Sequence, residues 1–179
     1  MKNRHRMLLM GFLLLILLVI SVSVIHVYYL NQFSSRLKRT NDHELAVANT
    51  AQAAQASIYL IHNAMKDIVL SKSDVEFSAA QIKAEQYEKR LQTQIDNLAK
   101  LENGLSAMEE IKRLYHDWQP MKQETVGSVL AGDRKRAEEN NKITEEKQVS
   151  LLRDKLDNLY AHAKNEENRN IDYLYDISG

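Results

Sequence analysis

The chain's one tryptophan and its one proline lie two positions apart, in YHDWQPMKQE at residues 115–124. An indole next to a helix-breaking residue can line a small cavity, which would act by burial and stacking rather than by making bonds. Counting helical residues from the nearest turns places Tyr59, Tyr87 and Trp118 at one height, each roughly 20 Å from those turns. His62 and Lys66, further along the same stretch as Tyr59, offer an imidazole and an ammonium to an anionic group. The expected ligand-binding set is therefore Tyr59, His62, Lys66, Tyr87 and Trp118. The same residues also suit a plain aromatic core layer at a kink. Pro120 would remove the hydrogen bond to the His116 carbonyl there, at a cost of about 3 kcal/mol in a helix interior.

No other residues point to reaction chemistry. There is no cysteine, hence no thiolate nucleophile, thiolate metal site or disulfide. Gly-rich phosphate loops, H-E-x-x-H and G-x-S-x-G are absent. His162 and Glu166 are four residues apart on one helix face, with Asn158 a turn earlier, and could offer a metal two or three ligands. That group flanks an apolar stripe and reads as a solvated face. DRKRAEE, residues 133–139, reads as a solvated helix start, because basic residues suit the positive helix end poorly. Twenty-four basic residues balance 24 acidic ones, so no basic face favours nucleic acid. The chain is expected to be non-enzymatic, with no metal, no cofactor and no nucleic-acid partner.

The positioning elements are helical. One proline and five glycines are too few for a turn-rich strand fold. Met7 to Leu30 is an apolar run broken by His26 and two serines. As a helix it would extend roughly 36 Å, enough to cross a hydrocarbon core of about 30 Å. Tyr28 and Tyr29 suit a membrane interface, and no small-residue cleavage site follows them. The run reads as an uncleaved signal-anchor at 7–30, after a short cytoplasmic tail at 1–6. A cleaved secretion signal is the alternative. Basic residues on the two sides nearly balance. Those before the run lie closer to it, which favours residues 31–179 outside the cytoplasm.

Apolar residues at +3/+4 spacing then continue from Leu30 through Val47, Ala51, Ala54, Ile58, Ile61, Met65 and Ile68. Ser73 with Glu76, and Ser106 with Glu109, fit capping boxes. Gly104 and Gly132 supply helix stops, and Asp133 caps a fourth helix. Helices are expected at about 31–70, 74–102, 106–131 and 133–177. The second helix has its seam at Phe77, Ala80, Ala84, Tyr87, Leu91, Gln94, Leu98 and Leu101. The third uses Met108, Ile111, Leu114, Trp118, Met121, Val126 and Val129, and the fourth Ala137, Ile143, Val149, Leu152 and Leu156. Short loops force antiparallel neighbours. The expected class is all-α: a transmembrane helix continuous with an antiparallel up-down-up-down four-helix bundle.

This order of lengths and turns, with Y-x-x-W at Tyr115–Trp118 and G-D-x-x-x-A at Gly132, Asp133 and Ala137, resembles the four-helix-bundle sensor domain of methyl-accepting chemotaxis receptors and related bacterial sensors. The resemblance covers nearly the whole chain. It implies a homodimer in the cell membrane with its bundle in the periplasm or outside the cell. A small-molecule ligand or a periplasmic binding protein would be its partner, and displacement of helix 4 against helix 1 its signal. Two departures stand out. The chain ends at YLYDISG without a second apolar run, as a truncated receptor would. Residues 47–70 also contain no arginine, so an aspartate- or serine-type site is not expected. The rival is a scaffolding coiled-coil membrane protein with no small-molecule ligand, which would have a dry core and open-ended assemblies.

Overall fold

The computed structural model describes residues 2–102 and 106–178. The chain is all-α: α1 (Lys2–Leu70), α2 (Asp74–Leu101), α3 (Ser106–Leu130), α4 (Arg134–Thr144), a five-residue π-helical turn (Glu145–Val149) and α5 (Ser150–Ser178). α4, the π turn and α5 follow one another without a break and together make the fourth helix of the bundle. Gly104, expected to close the second helix, lies outside the described residues.

The chain divides into a unit up to Asp42 and a unit from His43 onward. The first unit carries the apolar run, whose 18-residue window reaches a mean hydropathy of 2.7 with none of it buried. Among the described residues this is the one helix long and apolar enough to cross a membrane. Its serines return their hydroxyls to their own helix, Ser21 to the Leu17 carbonyl at 2.8 Å and Ser23 to the Val19 carbonyl at 2.9 Å. Such back-bonding leaves no hydroxyl unpaired in an apolar surround.

In the second unit, the +3/+4 stripe of α1 is buried from Val47 onward, through Ala51, Ala54, Ile58, Ile61, Met65 and Ile68. It belongs to one apolar cluster with Leu91, Ile95 and Leu98 of α2, Met108, Ile111, Leu114 and Trp118 of α3, and Leu152 and Leu156 of α5. On α2 the buried position is Ile95, not the expected Gln94, which is half-buried. The +4 step from Leu91 carries the seam there. On the fourth helix Thr144 is buried, where Ile143 was expected and is half-buried. The step from Thr144 to Val149 is five residues, one too many for an α-helix. The π turn absorbs the extra residue and keeps Ala137, Thr144, Val149, Leu152 and Leu156 on one face.

The turns explain themselves chemically. Ser73 Oγ accepts from the Glu76 N–H at 3.3 Å, and Glu76 Oε2 accepts from the Lys72 N–H at 2.7 Å, one residue earlier than in a standard capping box. α3 ends in a Schellman motif: Asp133 N–H donates to the Ser128 carbonyl at 2.9 Å, and Gly132 N–H to that of Val129 at 3.0 Å. Gly132 supplies the left-handed residue, at φ 77°. Asp133 Oδ1 then accepts from the Arg136 N–H at 3.1 Å. The basic start of α4 is not merely solvated. Arg134 Nη1 donates to the Val69 carbonyl at 3.2 Å and so closes the last turn of α1. At the other end of the unit, His43 Nε2 lies 3.1 Å from the Leu101 carbonyl, the last residue of α2.

Pro120 does not break α3, where a kink or break was expected. It sits on the exposed face, so the carbonyl it deprives of a donor faces water. Pro120→Ala should therefore restore one hydrogen bond and raise unfolding stability by up to about 3 kcal/mol. Equilibrium denaturation checks this; an unchanged or lowered midpoint would show that the proline is needed where it stands.

Candidate functional site

Polar residues are rarely buried without reason. The buried ones here are Ser57 and His62 of α1, Ser71 just after it, Lys122, Thr125 and Ser128 of α3, and Thr144 of α4. Apart from Ser57, they lie in the half of the bundle that holds the turns at 71–73 and 131–133. The opposite half is filled by Leu91, Ile95, Leu98, Met108, Ile111, Leu152 and Leu156. On α3 the seam keeps its helical step but changes character: Ile111, Leu114 and Trp118 give way to Lys122, Thr125 and Ser128. The expected seam residues Met121, Val126 and Val129 are half-buried beside it. The hydroxyls are satisfied within their own helices, Thr125 by the Met121 carbonyl at 3.1 Å, Ser128 by that of Glu124 at 2.9 Å and Thr144 by that of Asn140 at 2.7 Å.

Lys122 cannot be satisfied that way. It is 4% exposed, and its Nζ pairs with Glu88 Oε1 of α2 while standing 5.0 Å from the centre of the Trp118 ring. Burial pushes the ammonium below the usual lysine range, and the Glu88 carboxylate opposes this. Beside the pair lies a cavity of about 380 Å³ between α1, α2 and α3. Met65, Ile68, Ala84, Val126 and Leu130 form its apolar lining. Its polar lining is Gln81, Glu85 and Glu88 from α2 with Gln119, Lys122 and Gln123 from α3.

A second cavity of about 330 Å³ lies between α1 and the fourth helix. It is lined by His62, Lys66, Val69 and Leu70 of α1, facing Glu138, Asn141, Lys142, Glu145 and Glu146. His62 is buried, with Nδ1 2.7 Å from Glu145 Oε2, the first residue of the π turn. Arg153 Nη1 of α5 stands 3.7 Å from the other oxygen of that carboxylate. Burial pushes the His62 imidazole below its usual range. The Glu145 carboxylate opposes the shift, and Lys66 and Arg153 reinforce it.

The expected site residues are thus divided. His62 and Lys66 line the second cavity together. Trp118 is fully buried and fills core space, with Lys122 on its face. Tyr87 is half-buried against the core, with Arg90 5.6 Å from its ring centre. Tyr59 is 59% exposed and lines neither cavity. The three aromatics therefore do not converge on one pocket. Glu88, Lys122 and Glu145 were missed. A lysine four residues after Trp118 on the buried stripe was the available signal for the first pair, and the five-residue step in the fourth helix for Glu145. Among the described residues no three side chains could hold a metal ion. His162 is exposed, and Glu166 pairs with Arg169.

This architecture has relatives. The family model of the four-helix-bundle sensory module for signal transduction matches residues 1–169. The chain belongs to this family. The match spans both the apolar run and the bundle, so this chemoreceptor-type sensor module carries its candidate membrane helix within the family's own bounds. No curated protein and no solved structure matches the chain.

The His62 environment gives a pH dependence with a definite sign. The folded module holds His62 below its unfolded value of about 6.5. Its contribution to stability is therefore present above about pH 6.5 and is lost as pH falls through the folded value. His43 has the opposite sign. The Leu101 carbonyl, and then Glu44, raise it, so its contribution is lost as pH rises. Thermal unfolding from about pH 5 to about pH 8 should show a smaller acid loss in His62→Phe than in the parent. Glu145→Gln should move the loss to lower pH. Identical profiles for parent and His62→Phe would contradict this.

Proposed function

We propose that this sensor module is the extracytoplasmic input domain of a chemoreceptor-like signalling protein. It is held in the cell membrane by residues 7–30 and works as a homodimer. A small molecule, or a periplasmic binding protein, engages the half of the bundle that holds the two turns. The fourth helix then shifts against α1. One observation supports this most. Both cavities flank the last turns of α1, and each contains a polar contact that joins two helices, Lys122 with Glu88 in one and His62 with Glu145 in the other. A ligand that alters either pair changes how those helices hold one another, which is the differential contact a two-state signal requires. The π turn adds a natural slip point, since it already carries one residue beyond the α-helical step.

The lack of cysteine makes the module suited to a cross-linking test. Gln55 Nε2 of α1 donates to Asp157 Oδ1 of α5 at 2.7 Å, so this pair reports on the two helices that would move. In the full chain in detergent, the Gln55→Cys/Asp157→Cys variant should form an intramolecular disulfide in a particle of two copies. The rate should change several-fold when an effective ligand from a panel of organic acids, amines, sugars and aromatics is added. Open-ended assemblies, with a rate no compound alters, would favour the scaffolding alternative.

A further inference from the structure

The cavity between α1, α2 and α3 has three features that bear on what it holds. The first is charge. Glu85 and Glu88 against Lys122 leave its lining one net negative charge. An anion would meet that charge, and a cation would meet the Lys122 ammonium. An anion would have to draw Lys122 away from Glu88, which is costly for a buried pair, and a cation could reach Glu85 only in the field of the Lys122 ammonium. An uncharged molecule leaves the pair intact.

The second feature is hydrogen-bonding character. Gln119 and Gln123 each carry an amide N–H₂ donor and an amide oxygen acceptor, and Gln81, whose Nε2 donates to Glu85 Oε1 at 3.2 Å, keeps its oxygen as an acceptor. Glu85 and Glu88 add acceptors, and the Lys122 ammonium carries three N–H donors, more than Glu88 alone uses. A hydroxyl is both donor and acceptor, so a molecule dense in hydroxyls matches this lining group for group. The side chains of Met65, Ile68, Ala84 and Val126 offer apolar surface for its C–H face. The volume, about 380 Å³, falls within the range of about 300–1,000 Å³ common for small-molecule sites.

The third feature is Gly127, in the interior of α3 and in the cavity wall. A helix-interior glycine costs about 1 kcal/mol relative to alanine. Here no steric need accounts for it, because a Cβ at this position would meet nothing within 4 Å. What the missing side chain does is leave the cavity open.

We propose that this cavity binds an uncharged, hydroxyl-rich small molecule of about monosaccharide size, an inference that rests on the sensory reading above. The amides of α2 and α3 hold the hydroxyls, and the Lys122–Glu88 pair stays closed beneath them. Binding joins α2 to α3 and lies next to the last turns of α1.

Trp118 is the only tryptophan and lies against Lys122, so its fluorescence reports on the cavity. The full chain in detergent is titrated with D-ribose, D-glucose and D-galactose, and in parallel with succinate and putrescine. The expected result is a saturable change with at least one sugar. It should weaken tenfold or more in Gly127→Leu, which fills the cavity while improving helix propensity, and in Gln123→Ala. Thermal unfolding confirms that both variants remain folded. A response to succinate or putrescine but to no sugar overturns the ligand class and leaves the sensory reading standing. A sugar response that Gly127→Leu does not weaken overturns the location. Silence toward all five probes overturns the proposal, and the sensory reading then rests on the cross-linking result alone.

Discussion

A lysine ammonium inside a helical bundle must be matched by charge, or its burial works against the fold. Much of the layout follows from where Lys122 lies. It occupies a seam position four residues after Trp118, so α3 cannot turn it to water without exposing the indole. Glu88 of α2 answers the charge, and the Trp118 ring takes its face. Beyond this layer the seam of α3 stays polar through Thr125 and Ser128. The helices there cannot close as tightly as leucines would, and a cavity opens beside the pair.

The second unit therefore has two halves with different physics. Where α2 ends and α3 begins, aliphatic residues fill the core. Where the two turns lie, hydroxyls bonded to their own helices, the Lys122–Glu88 ion pair and the His62 imidazole against Glu145 interrupt the apolar packing. Arg134 on the Val69 carbonyl holds this looser half together at its tip. The π turn falls next to it, at the point where His62 reaches the fourth helix. A module that must respond to its surroundings needs a region whose packing has alternatives, and polar layers supply it.

Most of the fold was legible because period and turn chemistry agree. The α1 stripe from Val47 to Ile68, the Ser73 cap, and Gly132 with Asp133 are each written in local sequence, and the helices follow from them. The candidate site was less legible, for a physical reason. An apolar period does not mark Lys122, Thr125 and Thr144, polar residues that all sit on the buried face. Residue counting groups Tyr59, Tyr87 and Trp118 by height alone, and height does not fix the direction a side chain takes around the helix. His62 and Lys66 are the basic residues of the stretch 47–70, and both line the second cavity. The His62 partner, Glu145, depends on a π turn that no propensity marks.

The central claim is that the polar half is kept for response and lowers the stability the bundle could reach. Equilibrium denaturation of Lys122→Met/Glu88→Leu tests it most directly. If the pair is a cost borne for function, the double variant is as stable as the parent or gains about 1–4 kcal/mol, as buried pairs replaced by apolar groups often do. A loss of about 3–5 kcal/mol, the scale of a broken buried pair, would mean that the ion pair holds the bundle together, and would contradict the account.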